Sequence, residues 1–173
     1  MENGVYLLLG SNLGNREGNL LLARNSIARI GSIKTLSSIY QTQAWGNTQQ
    51  PDFLNQVIQI TSTQSSRELF AKIVTIENDM GRLRAEKWGP RIIDIDILFF
   101  GQKIVNEPDL SIPHPGIAMR RFTLLPLAEI APDFIHPFLN KNCAQLLKEC
   151  PDHSVVELHN PESTKVWYPN QKI

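Results

Sequence analysis

Cysteine is scarce in this chain: Cys143 and Cys150 are the two among 173 residues. Two cysteines make no disulfide framework, and their spacing is not that of a zinc site. Both read as reduced thiols near a helix. An excess of either charge is also lacking. Lys and Arg number 17, as do Asp and Glu. A balanced chain has no general attraction to nucleic acid or to an acidic membrane, so any anion site must be local. Long apolar runs are missing too. The opening MENGVYLLLGSN has no basic segment, and its apolar run is shorter than the roughly 7–15 residues of a secretory signal. Nothing approaches the ~20 apolar residues of a membrane span. The expectation is a cytoplasmic monomer with no nucleic-acid or membrane partner. The pattern G-x-x-x-x-G-K-[ST] is absent as well, which excludes a P-loop. Gly10 to Gly14 (GSNLG) follows a strand and precedes a helix, but it lacks the lysine and the spacing. A tight turn is the better reading.

What is present is ordinary globular composition, 42% hydrophobic and 20% charged. A chain of this length buries about 70% of its unfolded surface without covalent staples. Val5 to Gly10 is an apolar run closed by glycine, a buried strand. From Arg16 to Ile30, Leu20, Ala23, Ile27 and Ile30 recur at helical spacing, with Gly31 as the residue past the end. Ser32 to Thr42 reads as a second strand and Gln43 to Asp52 as a polar loop. Phe53 to Thr63 reads as a third strand, with Phe53, Asn55 and Val57 on one face and Leu54, Ile58 and Ile60 on the other. Ser65 and Glu68 fit a capping box that opens a helix carrying Leu69, Ile73, Ile76 and Met80 and ending at Gly81. Arg82 to Pro90 is a basic loop, and Ile92 to Phe100 is the fourth strand. The order predicts an α+β fold with a ferredoxin-like β-α-β-β-α-β core: a mostly antiparallel sheet, helices on one face, and C-terminal additions. Beyond Gly101, Pro108, Pro113, Pro115, Pro126, Pro132 and Pro137 punctuate short elements. Asn142 to Glu149 reads as a helix, and no second core is visible.

The fourth strand, within WGPRIIDIDILFFG, holds the least expected residues. Successive strand side chains alternate faces, so Asp94 and Asp96 share one face and Ile93, Ile95 and Ile97 the other. Two carboxylates roughly 5 Å apart repel by about 3 kcal/mol at an effective dielectric near 20. A fold escapes this by protonating one, by pairing them with arginine, or by placing a cation between them. An oxygen-only donor set favours a hard ion such as Mg²⁺, which completes its shell with water and phosphate oxygens. An acidic pair on a half-exposed edge strand is the competing reading. Arg82, Arg84, Lys87 and Arg91 precede the pair. A guanidinium presents a planar fork that matches phosphate, so cations leading into acids suit a metal-bound polyphosphate. The same arginines also serve simply to neutralise the aspartates. Downstream, His114 and Arg120 add donors. Thr42, Trp45, Phe53, Asn55 and Phe122 form a second set, aromatic faces with an amide, suited to a flat, hydrogen-bonding heterocycle. Phe53 and Phe122 are equally at home in a core.

Four stretches carry a resemblance: LLLGSNLGNR, TQAWGNTQQPDFLN, GRLRAEKWGPRIIDIDILFFG and IPHPGIAMRRFTLLPLAEIAP. In this order they resemble the 6-hydroxymethyl-7,8-dihydropterin pyrophosphokinase family of folate biosynthesis, over about residues 5–135 of a single domain spanning 1–173. Residues 136–173 form an extension without a motif. The resemblance implies a ferredoxin-like core and transfer of the β,γ-pyrophosphoryl group of ATP to the pterin hydroxymethyl oxygen, with release of AMP. Asp94 and Asp96 would bind two Mg²⁺. Arg82 and Arg91 would bind ATP phosphates or stabilise the transition state. Trp88 and Arg84 would lie on a closing loop, and Glu77 near the nucleotide. His114 and Arg120 would contact ATP. Phe53 and Phe122 would sandwich the pterin, Asn55 would read its edge, and Thr42 and Trp45 would line its pocket. Ala44 stands where the family commonly has proline and Lys87 where it commonly has arginine. Lysine is a point charge rather than a bidentate clamp, so a specific phosphate contact there does not carry over. Two rival classes remain: a non-catalytic module binding a nucleotide or heterocycle, and another Mg²⁺-dependent phosphotransferase.

Overall fold

The computed structural model describes residues 3–44, 48–82 and 89–160. Trp45, Arg84, Lys87 and Trp88 lie outside the described residues. The central strand β1 (Asn3–Ser11) is apolar at every step from Val5 to Leu9 because that stretch is buried on both sides. Val5, Leu7 and Leu9 enter one hydrophobic cluster, Tyr6 and Leu8 another. Helix α1 (Arg16–Ile27) begins at Asn15, whose side chain accepts from the Gly18 amide at 2.9 Å, satisfying a helix-end donor. The helix stops three residues short of Ile30. Gly31 follows, but without a left-handed φ. A Cβ there would lie 3.0 Å from both the Thr61 carbonyl oxygen and Ile60 Cδ1. Close approach to the sheet, rather than helix termination, explains this glycine.

The second expected strand is two: β2 (Ser32–Leu36) and β3 (Tyr40–Thr42), both antiparallel to β4 (Phe53–Ser62). Buried Ser37 makes the break. Its amide donates to the Val57 carbonyl, its hydroxyl accepts from the Val57 amide, and its carbonyl accepts from Gln56 Nε2. Serine's own groups thus substitute for regular ladder bonds. Helix α2 (Ser66–Asp79) opens on the expected capping box between Ser65 and Glu68. It closes at Gly81, where φ is +87°, a conformation that favours glycine. Strand β5 (Asp94–Phe100) pairs antiparallel with β1. A register shift leaves Leu98 unopposed, since Tyr6 faces Phe99 and Leu7 faces Ile97. This bulge turns Leu98 and Phe99 to one face and returns Phe100 to the other.

A hairpin, β6 (Val105–Glu107) with β7 (Leu110–Ile112), precedes α3 (Arg121–Ile130), α4 (Cys143–Glu149) and the edge strand β8 (Val156–Leu158). The main sheet runs β5-β1-β4-β3-β8, with β2 also on β4. Its pairings are antiparallel.

Helices therefore cover both faces, which corrects the expectation of helices on one face and no second core. Leu20, Ile27, Leu69 and Ile73 from α1 and α2 pack on Val5, Leu7, Ile58 and Ile95. Leu124, Leu127, Cys143 and Leu146 from α3 and α4 pack on Tyr6, Leu8, Val57 and Phe99. Strands apolar at both parities demand two covers, since each large apolar side chain buried is worth about 1.5–3 kcal/mol. The sequence pattern missed α3 because Pro126 lies inside it. A proline there removes one helical hydrogen bond, yet packing of Leu124 and Leu127 holds the helix.

Both thiols are buried and free, and burial pushes Cys143 up to about 12. The thiolate is the reactive form. The folded protein should therefore release almost no colour from a disulfide thiol reagent at mildly alkaline pH, and two equivalents in concentrated guanidinium chloride. Rapid reaction of the native chain at Cys143 would contradict this packing.

Candidate active site

The site is built on the face of the sheet that α3 partly covers, at the end α3 leaves open. Strand register places its groups in two rows. Gly10 of β1 lies between Asn55 of β4 and Asp94 of β5, and Leu8 lies between Val57 and Asp96. Neighbouring strands are about 4.8 Å apart, so the amide and the first acid stand roughly 10 Å apart across the glycine. A cavity of about 440 Å³ covers these rows. Each predicted site residue in the described part of the chain lines it: Thr42, Phe53, Asn55, Glu77, Arg82, Arg91, Asp94, Asp96, His114, Arg120 and Phe122. Trp45, Arg84 and Trp88 lie outside the described residues.

Alternation along β4 turns Phe53 and Asn55 toward the cavity while Leu54 enters the core. Asn55 is 2% exposed, and its Nδ2 donates to Thr42 Oγ1 at 2.9 Å. This bond fixes the amide plane toward the cavity. Phe122, at the start of α3, also lines the cavity, with the Arg120 guanidinium 6.0 Å from its ring centroid.

At the acidic end, the turn at Gly81 brings Arg82 back beside α2. Arg82 pairs with Glu77 and, at 3.0 Å, with Asp94 Oδ1. Arg91 Nη1 holds Asp94 Oδ2 at 2.5 Å. Both oxygens of Asp94 are thus engaged by guanidinium. Glu77, expected near the nucleotide, lines the cavity, and its carboxylate also accepts from the Ile95 amide at 2.8 Å. It satisfies a donor of the β5 edge while orienting Arg82. Burial raises the Glu77 pKa, against the pull of the Ile95 N–H and Arg82.

Among the contacts described, Asp96 is held by no guanidinium as Asp94 is. Burial, then the charges of Asp94 and Glu77, push its pKa up to about 7. Repulsion between the aspartates is therefore relieved only in part by arginine. His114 is anchored by its amide on the carbonyl of bulged Leu98 at 3.0 Å. Burial, then Arg120, push its imidazole down to about 4. Its Nε2 stands 3.9 Å from Asp96 Oδ2, but a neutral ring makes no ion pair. Since Nδ1 accepts from the Gly116 amide at 3.0 Å, the proton sits on Nε2, facing the acids.

Among the described residues, no three His, Cys, Asp or Glu side chains converge as a metal cage. A cation on Asp94 and Asp96 would complete its shell with water and phosphate oxygens, the habit of Mg²⁺. The oxygen-only donors and the under-compensated charge of Asp96 fit such an ion.

The sequence reading missed Asn12. It is 1% exposed and clamps three segments. Its Oδ1 accepts from the Arg91 amide at 2.7 Å, its amide donates to the Arg91 carbonyl at 3.1 Å, and its Nδ2 reaches Gln50 and the Pro51 carbonyl. The turn expected over 10–14 is shorter: Gly10 and Ser11 belong to β1, and the chain bends only after Asn12, with Gly14 at φ +67°. The clamp was invisible because its partners are 38, 39 and 79 positions away.

Residues 6–132 match the family model described as 7,8-dihydro-6-hydroxymethylpterin-pyrophosphokinase. The chain belongs to this family. A 2-amino-4-hydroxy-6-hydroxymethyldihydropteridine pyrophosphokinase of Aquifex aeolicus is 40% identical over 137 residues, 79% of this chain and 86% of that protein. The one of Bacillus subtilis is 35% identical over 172 residues, 96% of this chain and 92% of that protein. Among solved structures, a Plasmodium falciparum HPPK-DHPS with pteroate shares the fold at a TM-score of 0.70 and 17% identity. That match covers 86% of this chain, which spans 42% of the HPPK-DHPS chain. Family membership makes the protein a pyrophosphokinase, a transferase of folate biosynthesis.

Proposed function

We propose that the chain moves the β,γ-pyrophosphoryl group of ATP onto the hydroxymethyl oxygen of 6-hydroxymethyl-7,8-dihydropterin. The observation that carries this is the shared row across the sheet, with a heterocycle-reading amide on one side of Gly10 and a phosphate-side acid on the other. The pterin lies between Phe53 and Phe122, and Asn55, held by Thr42, reads its edge. ATP lies on the side of Arg82, Arg91, His114 and Arg120. Trp45, Arg84 and Trp88 complete the two sets by resemblance.

The hydroxymethyl oxygen attacks the β-phosphorus. The bond from that phosphorus to the α,β-bridging oxygen breaks, and AMP leaves with the oxygen. The hydroxyl proton passes to solvent. Arg82 and Arg91 offset the charge that develops on the phosphoryl oxygens. Neutral His114 donates through Nε2 without adding charge. Two Mg²⁺ held by Asp94 and Asp96 would supply charge neutralisation and in-line orientation of the phosphates. Exclusion of water from the site would keep ATP hydrolysis from competing with the transfer.

We further read the order β1-α1-β2/β3-β4-α2-β5 as a ferredoxin-like core, with one strand broken at Ser37. Residues 101–160 are an addition that covers its second face within a single domain.

The test supplies Mg²⁺, ATP and the hydroxymethyl dihydropterin and identifies the nucleotide released. AMP with pterin diphosphate is expected. ADP would rule out pyrophosphoryl transfer, and no nucleotide product would favour a binding module.

A further inference from the structure

Gly10 is a glycine in the middle of the sheet with no left-handed φ to require it. Glycine weakens a strand interior, and where no bulge or turn explains it, close approach of another group usually does. A Cβ built on Gly10 would point into the cavity, 3.1 Å from Asn55 Oδ1 and 3.6 Å from Phe53 Cδ1. The nearest atoms all belong to the heterocycle side, and none to Asp94 or Asp96. Asn55 has no room to retreat, because its Nδ2 is bound to Thr42 in a buried hydrogen bond. Phe53 is the next residue along the same face of β4. A methyl group here would therefore occupy space above the strand, between the amide and the acids.

We propose that Gly10 is a specificity-determining residue, a clearance across which the arm of a flat heterocycle reaches the phosphate chain. The inference rests on the substrate reading above and deepens it. The absent side chain leaves the ring lying flat against Asn55 while its hydroxymethyl carbon projects over β1 toward Asp94. Any side chain at this position lifts or tilts the ring, breaking its edge contact with Asn55. The phosphate side, which the Cβ does not touch, is left as it was.

The test compares Gly10→Ala with Gly4→Ala, at the other end of the same strand, where a Cβ meets nothing closer than Gln59 Nε2 at 4.0 Å. Binding of the hydroxymethyl dihydropterin is measured calorimetrically with Mg²⁺ and a non-hydrolysable ATP analogue present, and binding of the analogue is measured alone. Gly10→Ala should weaken pterin binding by about ten-fold or more, the scale of one misplaced methyl group in a tight pocket. Analogue affinity should be unchanged, and Gly4→Ala should match the native chain in both. Unchanged pterin affinity in Gly10→Ala, in a preparation whose native chain releases AMP, would overturn this inference and leave the functional reading standing. Joint loss of the fold and of analogue binding would also overturn it, by making Gly10 a packing residue. A native chain that binds no dihydropterin would defeat both.

Discussion

Asp96→Asn should lower turnover by about three orders of magnitude while making the ligand-free protein more stable at neutral pH. The two effects have opposite signs because one carboxylate serves function at the expense of the fold. On the proposed function Asp96 holds Mg²⁺, and loss of such a carboxylate removes transition-state charge stabilisation of several kcal/mol, where about 4 kcal/mol corresponds to a thousand-fold in rate. Stability moves the other way. Burial and the neighbouring Asp94 and Glu77 raise the Asp96 pKa from 3.8 to about 7. A raised carboxyl pKa means that the folded state prefers the protonated form. That contribution is fully present below pH 3.8 and is lost as pH rises through about 7. Asparagine cannot lose a proton, so the variant's advantage should appear over that window and vanish in acid. Melting temperatures of both proteins across pH, without Mg²⁺, check the sign. A variant less stable than the native chain above neutrality, or one with near-native turnover, would sink the assignment of Asp96.

Arg82→Ala should reduce kcat by about a thousand-fold, the scale of a transition-state arginine in phosphoryl transfer, and should cost about 3 kcal/mol of stability. The second effect arises because Glu77 is 3% exposed and loses its only guanidinium partner among the contacts described. An orphaned buried charge is strongly destabilising. The pair of effects separates in the double variant Arg82→Ala/Glu77→Gln. A neutral amide oxygen still accepts from the Ile95 amide, so stability should recover while turnover stays low. Urea denaturation and single-turnover kinetics on the three variants provide the comparison. Recovery of turnover together with stability would make Arg82 a structural residue rather than a phosphate ligand.

The parts legible in the sequence were those set by local periodicity. Two residues per strand repeat is enough to place Asp94 and Asp96 on one face and Ile95 and Ile97 on the other. The same rule grouped Phe53 with Asn55. Hydrogen bonds between near neighbours were equally readable, as in the Ser65–Glu68 capping box. Features that depend on distant partners were not. Ser37 breaks a strand because of Val57 and Gln56, and Gly31 is small because of Thr61 across the sheet. Pro126 sits in a helix that packing against β4 and α4 sustains.

The sequence by itself determined which side-chain types are offered for the proposed transfer and which faces they share within each strand. The reason is that alternation and residue type are properties of a few adjacent positions. Only the tertiary structure decided which strands stand side by side. Register on β1 places Asn55, Gly10 and Asp94 in one row, and hydrogen bonds tie Asn12 to Gln50, Pro51 and Arg91. Those relations are long-range hydrogen bonds and pairings between segments tens of residues apart, and they exist only once the sheet has closed.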